Sequence, residues 1–166
     1  MEGTVHEAEI RLRPIGVVRN EVPGPERAQW EGLVSEIVVD EEWAEALEGI
    51  GGFSHLVVLF WMGTSRRKTP PPSKVHPQSR MDLPLVGVFA TRSPVRPNPI
   101  GLTTVELLEH RGNILTVKGL DAFDGTPVLD IKPYLARGAQ IASPRHPEWL
   151  LRLWAAHDDE RAARRS

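Results

Sequence analysis

The sequence contains no cysteine. This absence excludes disulfide bonds and thiolate metal ligands, so packing and hydrogen bonds must hold the fold. Long apolar runs are missing too, because the longest, from Leu56 to Met62, is far shorter than the ~20 residues that span a bilayer. The N-terminal residues lack the apolar centre of a signal peptide. We therefore expect a cytoplasmic protein that does not enter a membrane.

The fingerprints of several well-known catalytic sites are also absent. The glycines at positions 49, 51 and 52 do not have the spacing of a dinucleotide-binding loop, and neither a P-loop nor a Gly-x-Ser-x-Gly motif occurs. No two histidines have the His-x-x-x-His spacing of a zinc site. We therefore expect neither a Rossmann-type cofactor domain nor a bound metal.

The charge is divided unevenly along the 166 residues, although the formal net charge is only −2. Residues 26–48 contain eight acidic residues and one arginine, whereas residues 65–96 contain seven basic residues and one aspartate. A solvated surface is the ordinary explanation of a basic loop. Because this loop leads into a stiff segment that carries arginines, its charge favours the binding of a polyanion such as RNA.

Short segments rich in β-branched residues, separated by turn signals, predict seven strands and no βαβ unit. The predicted strands are residues 15–18, 33–39, 55–61, 85–91, 102–109, 114–120 and 128–131. A short helix capped by Asp40 is predicted over residues 40–48, and a long loop over residues 63–84. A C-terminal helix is predicted after Pro147, with one apolar face formed by Trp149, Leu150, Leu153 and Trp154.

This pattern predicts a mainly β fold: a small single-sheet antiparallel β-barrel with a short helix and a C-terminal helical extension. We expect the barrel domain to comprise residues 1–138 and the extension to comprise residues 139–166. A chain of this length suits a single domain with an appended segment.

Residues 87–101 form the most informative segment, because prolines at positions 94, 97 and 99 stiffen a loop that carries polar side chains. Each proline fixes its own φ angle and restricts the residue before it. The side chains on this loop are Arg92, Arg96 and Asn98. Guanidinium groups are suited to carboxylate and phosphate oxygens, so the segment predicts an anion-binding site at the end of a strand.

A second polar segment follows at residues 120–134. Asp124 and Gly125 are a turn signal, whereas Asp130 lies within the apolar sequence Val-Leu-Asp-Ile. An unpaired buried carboxylate is unfavourable, so Asp130 is expected to face a ligand pocket or to pair with Arg92 or Arg96. The two segments together suit a zwitterionic ligand near a nucleic acid, and they do not identify a reaction.

These two segments closely resemble the signature segments of the TsaA-like (TrmO/YaeB) family. The first reads Ala-Thr-Arg-Ser-Pro-Val-Arg-Pro-Asn-Pro-Ile-Gly and ends at residue 101, and the second reads Asp-Gly-Thr-Pro-Val-Leu-Asp-Ile-Lys-Pro-Tyr and ends at residue 134. Residues 14–19 and 52–56 resemble two further family segments in the expected order. The resemblance covers about residues 12–138.

The resemblance implies a homodimeric, S-adenosylmethionine-dependent methyltransferase built on a β-barrel. The implied reaction is N6-methylation of N6-threonylcarbamoyladenosine, the modified base next to the anticodon of certain tRNAs. The implied cofactor-binding residues are Gln29, Met62, Gly63, Arg92, Leu102, Asp124, Gly125, Thr126 and Pro127. The basic region supplies the expected tRNA-binding residues, which are Arg66, Arg67, Lys74, His76, Arg96 and Asn98.

Asp130 and Tyr134 are the expected catalytic bases, because both are polar residues within a segment that is otherwise apolar and family-like. Two alternatives remain open. One is a β-barrel module that binds RNA or a nucleotide without catalysis. The other is a methyltransferase with a different small substrate, because residues 76–79 and Val95 have less positive charge than the corresponding family positions.

Overall fold

The structure, a computed structural model, describes residues 9–24, 30, 32–63 and 70–165. The described residues form two compact units, and the chain alternates between them. The first unit is formed from described residues within the ranges 1–65 and 99–134, and the second from described residues within the ranges 66–98 and 135–166. The boundary after residue 138 that the sequence indicates for the barrel domain stays a prediction.

Six strands of the first unit close into one antiparallel barrel in the order β1-β2-β7-β6-β3-β8. β4 and β5 form a separate two-stranded sheet in the second unit. The predicted mainly β fold with an antiparallel barrel is confirmed. The strands are β1 (Gly16–Arg19), β2 (Val34–Val39), β3 (His55–Trp61), β4 (Lys74–Val75), β5 (Val86–Gly87), β6 (Ile100–Arg111), β7 (Ile114–Lys118) and β8 (Pro127–Pro133).

The barrel core follows from the alternation of side chains along each strand. In β3 the side chains of Leu56, Val58 and Phe60 are at most 3% exposed, whereas the alternate residues face outward. β3 pairs with β6 on one side and with β8 on the other. It is therefore a central strand, as its apolar residues on both faces predict.

The short helix predicted over residues 40–48 is present as a 3₁₀-helix, Glu41–Leu47. The predicted cap, Asp40, acts through its backbone carbonyl, which accepts the N–H of Trp43 at 2.8 Å, and its side chain makes no capping hydrogen bond. Leu47 is the one buried residue of this helix. Little apolar burial is therefore available to stabilise a longer regular helix.

Residues 85–91 do not form the predicted strand. Only Val86–Gly87 is extended, as β5, and a 3₁₀ turn over Val88–Ala90 follows it. The apolar pattern is misleading because β5 pairs only with the two-residue strand β4 in the described part of its sheet. With no further partner the ladder ends, and Phe89 is 78% exposed rather than buried in a sheet.

Besides its 3₁₀ turns, the described part of the second unit contains the helical segments α1 (Ala136–Ala139) and α2 (Glu148–Arg165), and α2 is the helix predicted after Pro147. The predicted apolar face is only partly buried, since Leu153 is 5% exposed but Trp154 is 44% exposed. α2 lines a cleft together with residues 80–84 of the same unit.

Candidate cofactor and substrate site

Three of the predicted cofactor segments meet at one end of the barrel. β3 leads directly into Met62 and Gly63, β6 begins two residues before Leu102, and β8 begins at Pro127. Because β3 is antiparallel to both neighbours, its end lies beside the beginnings of β6 and β8. Positions that are far apart in the sequence therefore share this end of the barrel.

A glycine lets β6 lie close to the core at this end. Gly101 pairs with Phe60 of β3, and a Cβ atom at position 101 would overlap the Phe60 ring. That ring is only 3% exposed, so a side chain at position 101 would displace a core ring directly beside Leu102. The glycine of the Ile-Gly-Leu sequence is therefore required for packing.

The Asp-Gly-Thr-Pro turn is tied to the chain segment that contains and follows β1. The N–H groups of Asp124 and Gly125 each donate to a carbonyl of that segment at 2.9 Å, and the N–H of Thr126 donates to Phe123 at 3.1 Å. Gly125 has a φ angle of 77°, which favours glycine. Because these three N–H groups are used within the protein, the turn presents a ligand with the Asp124 carboxylate and carbonyl oxygens, which accept hydrogen bonds.

Asn20 positions this turn, and the sequence reasoning missed it. Its side-chain nitrogen donates to the Ala122 carbonyl at 2.9 Å and to the Ser35 hydroxyl at 3.0 Å. Its side-chain oxygen accepts the N–H of Val22 at 3.0 Å, and its own N–H donates to the Asp124 carboxylate at 3.1 Å. Two of its partners lie about a hundred positions away along the chain, so no local pattern indicates them. The only signal in the sequence was its place directly after a family-like segment.

Two further contacts join the turn to its surroundings. The Thr103 hydroxyl donates to the Asp121 carboxylate, which connects the strand that carries Leu102 with the segment before the turn. The rings of Trp30 and Phe123 are in contact, with their centroids 5.3 Å apart. The start of β6 and the Trp30 ring therefore both contact the segment just before the turn.

Asp130 lies on the outer face of the barrel and forms an ion pair. A β-bulge in β8 shifts the alternation, so that Val128 is buried while Asp130 is partly exposed. The Lys132 ammonium lies 2.6 Å from the Asp130 carboxylate. The predicted basic partner is thus present. It is Lys132 on the same strand, whereas the sequence indicated Arg92 or Arg96.

The two predicted catalytic residues lie at different distances from the cofactor segments of the barrel. Leu102 and Asp130 pair with Leu59 from opposite sides, which puts their backbones about 10 Å apart. Tyr134 donates its N–H to the carbonyl of His55 at 2.9 Å, at the beginning of β3. A strand of seven residues spans roughly 20 Å, so within this unit Tyr134 lies near the opposite end of β3.

The arginine loop of the second unit is a succession of tight turns. The Thr91 hydroxyl donates to the Val88 carbonyl at 2.8 Å and accepts the N–H of Ser93 at 3.2 Å. The Ser93 hydroxyl then accepts the N–H of Val95 at 3.2 Å. The loop is therefore held by side-chain hydroxyls as well as by its prolines.

The predicted polar residues of this loop reach the surface of the second unit. Arg92, Asn98 and Lys74 are exposed. The guanidinium carbon of Arg96 lies 6.0 Å from the centroid of the Phe89 ring, within the range of a cation–π contact. These side chains have the charge and accessibility that binding an anion requires.

His76 closes a turn within the second unit. Its Nδ1 atom lies 2.8 Å from the Leu83 carbonyl, and since a carbonyl only accepts, this nitrogen carries the hydrogen. The ring spans the 3₁₀ turn Pro77–Ser79, which lies inside the region predicted to be a loop without structure. Three other predicted site residues lie outside the described residues: Gln29, Arg66 and Arg67.

Arg80 and Asp82 form a bidentate pair beside the cleft along α2, at distances of 3.1 and 2.6 Å. The hydrogen bonds from Arg80 lower the pKa of the Asp82 carboxyl, and Asp82 in turn raises the pKa of Arg80. The charge of Arg80 is therefore largely balanced by its neighbour and contributes little to the basic character of this region.

Two kinds of feature are absent from the described residues. No helix among them is both long enough and apolar enough to cross a membrane. No three of their histidine, aspartate or glutamate side chains cluster in a way that could hold a metal ion.

Comparisons with known proteins agree with the resemblance seen in the signature segments. The chain matches the family tRNA-methyltransferase O N-terminal domain over residues 18–138. A probable S-adenosyl-L-methionine-binding protein of Methanothermobacter thermautotrophicus is 45% identical over 132 residues, covering 77% of this chain and 92% of that protein. The tRNA (adenine(37)-N6)-methyltransferase of Escherichia coli is 39% identical over 143 residues, covering 76% of this chain and 58% of that protein.

Solved structures match the fold as well. The crystal structure of TrmO from Pseudomonas aeruginosa aligns with a TM-score of 0.67 and 29% identity, covering 85% of this chain and 63% of that one. This chain therefore spans about three fifths of the length of the solved TrmO chain and of the E. coli relative. The family match includes the barrel, the arginine loop and the Asp-Gly-Thr-Pro turn. The chain belongs to the tRNA-methyltransferase O N-terminal domain family.

Proposed function

We propose that this protein is a cytoplasmic, homodimeric, S-adenosylmethionine-dependent methyltransferase that modifies N6 of adenine 37 in tRNA, with threonylcarbamoyladenosine as the modified base. The observation that carries the proposal is the meeting of Met62–Gly63, Leu102 and residues 124–127 at one end of a barrel that belongs to this family. The named activities of the E. coli and M. thermautotrophicus relatives support both the reaction and the cofactor.

The residues at this end of the barrel fit a nucleoside. Leu102 is 49% exposed and offers an apolar surface for a flat base. The Asp124 carboxylate is partly exposed and has the acceptor chemistry that ribose hydroxyls require. A Cβ at position 125 would have no atom within 4 Å apart from those of its chain neighbours. When bound, S-adenosylmethionine supplies an electrophilic methyl group on a sulfonium. Arg92 is the proposed partner of its carboxylate.

Binding of the cofactor by the isolated protein tests this assignment directly. Isothermal titration calorimetry with S-adenosylmethionine should show one site per chain. Arg92→Ala should weaken binding by roughly 10- to 100-fold, because a hydrogen bond to a charged group contributes about 1.5–3 kcal/mol. Arg152→Ala is the matched control, since this exposed arginine of α2 pairs only with Glu148 among the described residues. Equal affinity of both variants would remove Arg92 from the site.

The finer part of the proposal concerns the acceptor. The threonylcarbamoyl group ends in a carboxylate and the anticodon loop carries phosphates, so Arg96, Asn98 and Lys74 have suitable chemistry for both. Mass spectrometry of tRNA nucleosides, after incubation of the protein with S-adenosylmethionine and tRNA, should show methylated threonylcarbamoyladenosine. Binding of cofactor and RNA without any methylated nucleoside would instead identify a binding module.

We propose that Asp130 removes the acceptor proton, because its backbone lies about 10 Å from that of Leu102. Tyr134, which lies near the opposite end of β3, is the other candidate. Asp130→Asn and Tyr134→Phe should each be tested for kcat and for cofactor affinity, because loss of a general base lowers kcat by about 10²- to 10⁴-fold and leaves the cofactor Kd unchanged. Lys132→Met is the control for Asp130, since it removes the ion pair and keeps the carboxylate. If kcat is unchanged in both variants, neither residue is the base.

A further inference from the structure

Phe89 is a large apolar ring displayed at the surface of the second unit. It occupies the middle of the 3₁₀ turn Val88–Ala90 and is 78% exposed, whereas its neighbour Val88 is 3% exposed. No sequence pattern assigned it a role. An exposed aromatic ring beside an arginine combines two kinds of side chain that are important in recognition by binding surfaces.

The turn holds this ring outward. The N–H of Val88 donates to the Ser73 carbonyl at 3.0 Å, and the Val88 carbonyl accepts from both the N–H and the hydroxyl of Thr91, at 3.1 and 2.8 Å. Because Val88 is buried and bonded on both sides, the chain cannot rotate to bury Phe89 without breaking these contacts. The exposure of the ring is therefore a property of the turn.

One arginine lies beside the ring, and a second follows it in the same loop. The Arg96 guanidinium carbon lies 6.0 Å from the ring centroid, and Arg92 is exposed three residues beyond Phe89. Within the described part of their own unit, neither arginine has a carboxylate partner. The surface thus combines a flat apolar ring with the Arg96 guanidinium, which has no carboxylate partner in this part of the unit.

We propose that Phe89 and Arg96 form a stacking platform for an unpaired base of an RNA loop, with the Arg96 guanidinium close to an adjacent phosphate. A flat aromatic group joined to a phosphate is the ligand chemistry that a ring beside guanidinium groups recognises. A second protein surface would have to supply carboxylates to balance both arginines. The proposal rests on the proposed function, because it takes tRNA as the substrate.

The first test is affinity for a stem-loop RNA with the sequence of a tRNA anticodon arm. Phe89→Ala should weaken binding roughly 5- to 100-fold, and Phe89→Trp should retain it, because stacking depends on the ring. The logarithm of the RNA association constant falls linearly with the logarithm of the salt concentration. The slope of this line should stay the same in Phe89→Ala and become less steep by about one in Arg96→Ala. Phe53→Ala is the control, since this exposed phenylalanine of the first unit lies outside the basic region.

The second test identifies the stacked base. Abasic nucleotides are introduced at each loop position in turn, and binding is measured with the wild-type protein and with Phe89→Ala. One position should weaken wild-type binding and have little further effect in the variant, because ring and base belong to the same contact. Additive effects at every position would overturn the proposal.

Two controls separate this proposal from the proposed function. Cofactor binding and tRNA methylation by the wild-type protein test the proposed function. If both are observed and Phe89→Ala binds RNA as tightly as the wild type, the stacking platform is overturned and the proposed function stands. Failure of cofactor binding and methylation would contradict the function itself. Sedimentation at the assay concentration is the other control, because conversion of a dimer to monomers by Phe89→Ala would make the ring a contact between copies and would also overturn the proposal.

Discussion

Replacement of Gly101 with alanine is expected to destabilise the barrel and to weaken cofactor binding together. The new Cβ atom would overlap the Phe60 ring, which is 3% exposed and part of the core. Overpacking of this kind typically destabilises a protein by about 1–3 kcal/mol, which for a chain of this size lowers Tm by roughly 2–4 °C per kcal/mol. Thermal unfolding followed by circular dichroism measures the first effect, and calorimetry measures the second.

A control and a rescue make this prediction specific. Gly52→Ala should leave Tm nearly unchanged, because no atom lies within 4 Å of a Cβ at that exposed position. Phe60→Leu in the Gly101→Ala background should be less destabilised than the sum of the two single changes, because the smaller side chain makes room for the methyl group. An unchanged Tm for Gly101→Ala would show that β6 moves away without cost. Strict additivity would show that the destabilisation does not come from contact with the Phe60 ring.

Replacement of Asn20 with alanine is expected to loosen the Asp-Gly-Thr-Pro turn. The change removes the donor to the Ala122 carbonyl and the acceptor for the N–H of Val22. An unsatisfied buried polar group destabilises by about 1–3 kcal/mol, and Ala122 is 2% exposed. Cofactor binding must then reorder the turn, which weakens affinity roughly tenfold for every ~1.4 kcal/mol.

Asn113→Ala is the matched control for Asn20. Asn113 also donates its amide to a backbone carbonyl, that of Val39, at 2.6 Å. It bonds to β2 four residues from Ser35, the partner of Asn20 on the same strand, which corresponds to about 13 Å. Asn113→Ala should therefore lower the free energy of unfolding and leave the cofactor Kd unchanged. Equal loss of affinity in both variants would mean that Asn20 acts only through overall stability.

Asn20→Asp separates the hydrogen bond that the side chain accepts from those that it donates. A carboxylate keeps the acceptor for Val22 and loses the donor to Ala122, and it also faces the Asp124 carboxylate that the Asn20 N–H binds. The aspartate variant should therefore bind the cofactor no better than the alanine variant. Recovery of full affinity would show that the bond to Val22 alone positions the turn.

The sequence was sufficient for the barrel strands because short apolar runs rich in β-branched residues indicate them. Residues 55–61 are apolar on both faces, and they form β3, which is paired on both sides as that composition predicts. The same reasoning was wrong for residues 85–91, where an apolar run has only a two-residue partner strand. Strand pairing depends on which distant segment is available, and no local pattern contains that information.

The predicted site shows the same division. Asp124 and Gly125 occupy the turn that their residue types indicate. The bulge in β8 that puts Asp130 on the other face from Val128 and the bonds of Asn20 depend on register between strands, so the sequence did not reveal them. Signature motifs reported which residue types matter, while their supporting contacts lie in segments that carry no motif.

The residue order alone determined the fold class, the turn residues and the family, because alternation, backbone preference and signature motifs are local properties. The tertiary structure alone decided that Met62, Leu102 and Pro127 share one end of the barrel, that Asn20 holds the turn, and that Phe89 is displayed beside Arg96. These are contacts between residues that are brought together only when strands pair or turns close. Their energies depend on distance in space, which the order of residues does not state.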